Sequence, residues 1–101
     1  MSTAILPQRR LNALLKAFKE QHAGKYHLQA LGYFGSYARN EAGEDSDVDI
    51  VFVTDAPNLF KTAVMKQDLE VLLGRRVDVV RLRERMNPHL RDRILREARY
   101  V

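Results

Sequence analysis

Cysteine is absent from the 101-residue chain, which excludes disulfides, thiolate zinc sites and thiol nucleophiles and fits a reducing cytoplasm. No apolar run approaches the roughly 20 residues that a membrane-spanning helix needs. The opening MSTAILPQRRLNALLKAF lacks a basic segment followed by an unbroken apolar one, so it does not read as a signal peptide. Proline and glycine are few, at three and five, and 46% of the residues are apolar. Such a composition predicts one ordinary core rather than disorder. The length suits a single domain, residues 1–101, without repeats or linkers. The expectation is a soluble, cytoplasmic protein with no membrane association.

Positive charge is missing from one stretch. Between Glu41 and Asp55 there is no Lys or Arg, while Glu41, Glu44, Asp45, Asp47, Asp49 and Asp55 all fall there. From Arg75 onward the chain carries nine arginines, and the formal net charge is +4. Basic surface beside an acidic pocket suits a phosphate-rich ligand that arrives with metal ions. The plainer alternative is a solubilising face. No aromatic-studded basic strand accompanies the arginines, so direct nucleic-acid binding is not expected.

Periodicity places the elements. Pro7 suits a first helical turn, and Leu11, Leu14, Leu15 and Phe18 follow at helical spacing. They predict a helix of about four turns that ends on a Gly24 C-cap. Tyr26–Phe34 reads as a strand ending at Gly35, Ser36–Asn40 as a short helix capped by Ser36, and Glu41–Ser46 as a loop. Asp47–Val53 reads as a second strand. Asn58–Leu73 reads as a helix with Phe60, Val64, Leu69, Val71 and Leu72 on its apolar side and Gly74 as C-cap. Arg76–Leu82 reads as a third strand. Asn87-Pro88 starts a last helix with Leu90, Ile94, Leu95 and Ala98 on one face. The predicted order is α-β-(α)-β-α-β-α, an α/β (α+β) fold.

The chemistry lies in GSYARNEAGEDSDVDIVF, Gly35 to Phe52. Gly35 permits a sharp turn and close approach of the backbone to a ligand. Ser36 offers a hydroxyl where following amides favour phosphate, although a Gly-Ser pair alone is more often a turn and a cap. Asp47 and Asp49, two apart on a strand, project from one face. Two ionised acids so placed repel one another unless a cation lies between them, and Mg²⁺ prefers such oxygen ligands. Asp78, within the apolar Val77-Asp78-Val79-Val80, is expected to be buried. If its strand neighbours that of Asp47 and Asp49, three carboxylates converge, enough to hold two metal ions about 3.5–4 Å apart. Pairing of Asp78 with Arg76 or Arg81 is the alternative. Arg39, three residues past Ser36, would reach a triphosphate oxygen or the acids, or else lie on the surface.

Gly35-Ser36, ten intervening residues, Asp47-Val48-Asp49 and the later strand Asp78 together resemble the signature of the DNA polymerase beta-type nucleotidyltransferase superfamily. The short length and the ending NPHLRDRILREARYV resemble its smallest branch, the MNT proteins of HEPN/MNT toxin–antitoxin modules. The resemblance covers nearly the whole chain. It implies a small mixed β-sheet flanked by helices. By position, Gly35 and Ser36 match residues that hold the triphosphate, and Asp47 and Asp49 match metal ligands. Asp78 matches a third carboxylate that binds metal and helps deprotonate the acceptor. Arg39 matches an arginine often found in this branch.

The same resemblance implies two Mg²⁺ ions, ATP as substrate and a hetero-oligomer with a cognate HEPN ribonuclease toxin. Some MNT proteins neutralise that partner by transferring AMP to one of its tyrosines. A binding-only antitoxin is the first competing possibility. A transferase acting on a small molecule such as an aminoglycoside is a second, disfavoured because no acceptor-binding domain is visible. A basic nucleic-acid-binding module is the third.

Overall fold

A computed structural model describes residues 5–101; the first four residues of the expected domain lie outside the described residues. Helix α1 (Gln8–Tyr26) leads into strand β1 (Leu28–Phe34), and β2 (Val48–Thr54) follows after a turn-rich segment. Helix α2 (Leu59–Leu73), strand β3 (Val77–Arg81), helix α3 (Pro88–Glu97) and a two-residue strand β4 (Arg99–Tyr100) complete the chain. The sheet order is β3-β2-β1-β4. β1 runs antiparallel to both β2 and β4, whereas β2 and β3 are parallel. The mixed sheet flanked by helices is the expected fold.

Strand alternation divides the apolar side chains between two faces. Val48, Ile50 and Phe52 of β2 join Leu31, Tyr33 and Val77 in the main core, which α1 closes with Leu11, Leu15 and Phe18 and α2 with Met65 and Leu69. On the opposite face Phe34 and Val51 pack with Ile94 of α3, and Val80, Leu82, Met86, Leu90 and Ala98 surround them. The faces therefore differ: one is sealed by two helices, the other by one short helix.

Local cap signals hold at both ends of α2 and at the start of α3. The Asn58 carboxamide accepts from the Lys61 amide, and Gly74 ends α2 at φ 66°. The Asn87 side chain accepts from the amides of His89 and Leu90, with Pro88 at the first helical position.

Other expectations are corrected by packing. α1 does not stop at Gly24 but continues to Tyr26, and His27 takes the left-handed capping conformation at φ 52°. Tyr26 is buried and stacks on Phe18 with ring centroids 6.1 Å apart, so the buried stripe carries the helix across the glycine. Ser36–Asn40 is a series of turns rather than a helix. Its carbonyls are taken from elsewhere: Gln8 Nε2 donates to Tyr37 O at 2.7 Å, and Arg99 Nε donates to Ala38 O at 2.9 Å. On α2 the buried side chains are Met65, Leu69 and Leu73, spaced by four. Phe60 and Val71, expected on the apolar side, are 78% and 85% exposed, because apolar residues ring this helix and contact with α1 and β3 selects the buried face. Leu72 is likewise exposed, as is Leu95 on α3, which points away from the cluster around Ile94.

β4 was not expected. It pairs Tyr100 with Gly32 and Arg99 with Tyr33, and the Val101 amide donates to Leu31 O at 2.9 Å. The pairing depends on Gly32, since a β-carbon there would collide with the Arg99 carbonyl oxygen, a backbone atom that cannot swing aside. Gly32→Ala should release the C-terminal strand. Hydrogen exchange should show the Val101 amide losing protection, with a stability loss of roughly 1–3 kcal/mol. Protection equal to the parent chain would count against this account.

Candidate active site

The turn after β1, the start of β2 and the start of β3 come together at one end of the sheet. In the parallel register Asp49 lies opposite Asp78, and across the antiparallel pair it lies opposite Phe34. Register partners share a face, so Phe34, Asp49 and Asp78 all project toward the α3 side. The expected adjacency of the two acid-bearing strands is therefore present. Asp78 is not buried, contrary to the sequence expectation: β3 is an edge strand, and its acid is exposed. Neither Arg76 nor Arg81 neutralises it by an ion pair among the described residues.

Asp47 sits one residue before β2 and half-buried, with Arg76 Nε 3.3 Å from its Oδ1. Burial pushes the Asp49 carboxyl above its ordinary range, and the negative charges of Asp78 and Asp47 push it further; Arg93 and Arg39 oppose the rise without cancelling it. Burial is the larger cause, and the neighbouring acids add to it without a sufficient counter-charge. Among the described residues no group of three acidic or imidazole side chains is arranged to hold a metal ion. The donor chemistry nevertheless fits a hard divalent cation, because Asp49 and Asp78 lie in register and the charge of Asp47 bears on Asp49.

Gly35 is buried with φ 72°, a conformation that a side chain disfavours. A β-carbon there would run into the Asp49 carboxylate, so only glycine lets the turn lie against the acid. Ser36 follows, half-buried; among the described residues neither its amide nor its hydroxyl has a hydrogen-bond partner. Arg39 lies on the same turn, its amide bonded to Gly35 O at 3.0 Å. Its guanidinium contacts Glu41 Oε1 at 2.8 Å and Glu97 Oε1 at 3.0 Å.

Two residues at this site escaped the sequence reading. Arg93 of α3 lies over the Phe34 ring, 5.6 Å from its centroid, and a guanidinium nitrogen reaches the space beside Gly35. Glu97, the last residue of α3, accepts from the Gly35 amide at 3.1 Å and lies 3.6 Å from Arg93 Nε. Burial works to raise the Glu97 carboxyl, but the bonds from Arg39 and Gly35 and the charges of Arg39 and Arg93 hold it below its usual range. The spacing of Arg93 and Glu97, four apart on a helix, was visible as a local pair. Their contact with a turn some sixty residues earlier was not.

The arrangement offers an acidic pair on a sheet face, a glycine turn packed against it, a free Ser36 hydroxyl and two arginines, an assembly suited to a metal-bound polyphosphate. The sequence pattern of the nucleotidyltransferase domain matches residues 11–101. The chain is 38% identical to the protein adenylyltransferase MntA of Thermococcus cleftensis, over 97% of this chain and 99% of that protein. A solved structure described as a minimal nucleotidyltransferase superposes with a TM-score of 0.79 at 37% identity, covering 95% of this chain and 97% of the other. A chain from the complex of tri-AMPylated Shewanella oneidensis HEPN toxin with MNT antitoxin is 25% identical, with a TM-score of 0.65 over 92% of this chain and 70% of the other.

The raised Asp49 carboxyl has a thermodynamic consequence. An acid whose folded-state value exceeds its unfolded one opposes folding once ionised. The penalty is absent below the unfolded value of about 3.9. It grows as pH rises through the folded value and is fully present at neutral pH. Asp49→Asn should therefore melt higher than the parent chain in metal-free buffer at neutral pH, and the gap should close toward about pH 3. A variant that melts lower at neutral pH would contradict an uncompensated cost of burying and crowding this charge.

Proposed function

This chain belongs to the nucleotidyltransferase domain family, and on that premise we propose that it is a Mg²⁺-dependent antitoxin enzyme. In this reading it transfers AMP from ATP to a tyrosine of a cognate HEPN ribonuclease toxin in the cytoplasm, from a single domain spanning residues 1–101. The observation that carries the reading is the placement of Asp49 opposite Asp78, with the Gly35 turn packed against Asp49. That pairing costs stability unless a cation relieves it, and the adjacent donors suit the phosphates such a cation accompanies.

In the proposed reaction the tyrosine oxygen attacks the α-phosphorus of ATP, a new O–P bond forms, and the bond to the bridging oxygen of pyrophosphate breaks. The phenolic proton passes to Asp78, whose exposed position on the edge strand makes it the acid most open to an acceptor. Asp47, Asp49 and Asp78 would hold Mg²⁺, two ions at full occupancy, which supplies charge neutralisation on the phosphates. Ser36 holds the departing phosphates through its hydroxyl and amide, and Arg39 adds positive charge beside them. Positioning of the two reactants supplies much of the remaining rate enhancement. The toxin is then both partner and substrate, in a hetero-oligomer.

One observation favours a second reading, an antitoxin that acts by binding alone: Asp47 already has a counter-charge, Arg76, 3.3 Å away. Intact-mass measurement after incubation with the toxin, ATP and Mg²⁺ separates the two. The transfer reading expects the toxin to gain one or more AMP units, and Asp47→Asn or Asp49→Asn to lower that gain at least about a hundredfold while the variants stay folded. Inhibition of the toxin without any gain in mass would replace transfer with binding.

A further inference from the structure

We propose that Glu97 is a positioning residue of the nucleotide site, acting through Arg39 and the Gly35 turn; this rests on the nucleotidyl-transfer reading above. One carboxylate ties together parts of the chain far apart in sequence. Its Oε2 accepts from the Gly35 amide at 3.1 Å, 62 residues away, and both oxygens accept from Arg39 Nη1, at 3.0 and 3.2 Å, 58 residues away. Arg93 Nε stands 3.6 Å off on the same helix. The Glu97 side chain is only 18% exposed, against 40% for Arg39 and 44% for Arg93, so the acid is the inner member of the cluster.

This placement is not what helix energetics would choose. Glu97 closes α3, where the carbonyl ends of the helix disfavour a negative charge. Two guanidinium groups and a backbone amide offset that cost. The consequence for the site is geometric. With its own amide bound to Glu97, Gly35 is fixed against Asp49, and the next amide and hydroxyl, those of Ser36, are left open to a ligand. Arg39, an otherwise long and mobile side chain, is clamped between Glu97 and Glu41 at the same turn. The ligand class served is the triphosphate of a nucleotide, and Glu97 itself touches protein groups only.

A carboxylate ringed by arginines and an amide also has the form of an occupied anion seat, so Glu97 could instead be a group that phosphate must displace. Its low exposure and its three separate partners favour the permanent anchor. The two roles give opposite results in Glu97→Gln, which keeps the shape and removes the charge. Binding of a non-hydrolysable ATP analogue with Mg²⁺, measured calorimetrically, should weaken about tenfold, the scale of a lost charged hydrogen bond. KM for ATP in toxin modification should rise alike, with KM for the toxin unchanged. Arg39→Ala should show a similar loss, and the double variant should lose less than the product of the two single losses, since part of the effect of Glu97 runs through Arg39 and the rest through the Gly35 turn.

Analogue binding that is unchanged or tighter in Glu97→Gln overturns the proposal, as do fully additive losses in the double variant. Circular dichroism checks folding of each variant. If Glu97→Gln does not fold, Glu97→Asp, which keeps the charge but withdraws it from Arg39, takes its place, and parent-like analogue binding in it is equally fatal. A parent protein that neither binds the analogue nor modifies the toxin overturns the nucleotidyl-transfer reading itself. Failure of the Glu97 role alone leaves parental transfer intact.

Discussion

The parallel pairing of β2 with β3 sets Asp49 beside Asp78, and much of the molecule follows from making that pairing possible. Parallel neighbours cannot be joined by a tight turn, so the chain must cross over, and α2 is that crossover. Packed on one face with α1, it completes the main core. The acids are left on the other face, where Ile94 of α3 covers Phe34 and Val51 and Asp78 on the edge strand stays exposed. Like charges held side by side oppose folding, and the larger core on the far side of the sheet is what sustains them.

Backbone proximity then sharpens the site. The turn at Gly35 lies so close to Asp49 that no β-carbon fits between them, and its positive φ excludes most other residues in any case. The same economy of space recurs three residues earlier, on β1, where Gly32 admits the carbonyl of Arg99. Through that contact the C-terminal strand is attached to β1, and Arg99 in turn holds the carbonyl of Ala38 in the turn that carries Ser36 and Arg39. The last residues of the chain are thus part of the support of the candidate site. Lys19 adds to this by donating to the Val101 carbonyl at 3.0 Å.

Legibility in the sequence followed the range of the interaction. Asn58, Gly74 and Asn87-Pro88 were readable because capping is decided within a few residues. Gly24 misled because a glycine only permits a helix end, and the burial of Tyr26 decided otherwise. Phe60, Val71, Leu72 and Leu95 misled because an apolar residue on a helix is not assigned to a face until a neighbour packs against it. Asp78 was expected to be buried on the strength of its apolar neighbours, but edge position left its side chain open to solvent.

The sequence by itself determined that Asp47 and Asp49 stand two apart at the start of a strand, that a glycine turn precedes them by a set interval, and that a third acid stands in another strand. Strand alternation and turn chemistry are local properties of the backbone, so spacing alone reveals them. Only the tertiary structure decided that Asp78 lies in register with Asp49, that Arg76 holds Asp47, and that Arg93 and Glu97 reach the Gly35 turn. Those contacts join groups up to about sixty residues apart, and their geometry is set by which strands pair and which helix covers them. No periodicity in the chain encodes that choice; the competition to bury apolar surface while satisfying backbone hydrogen bonds makes it.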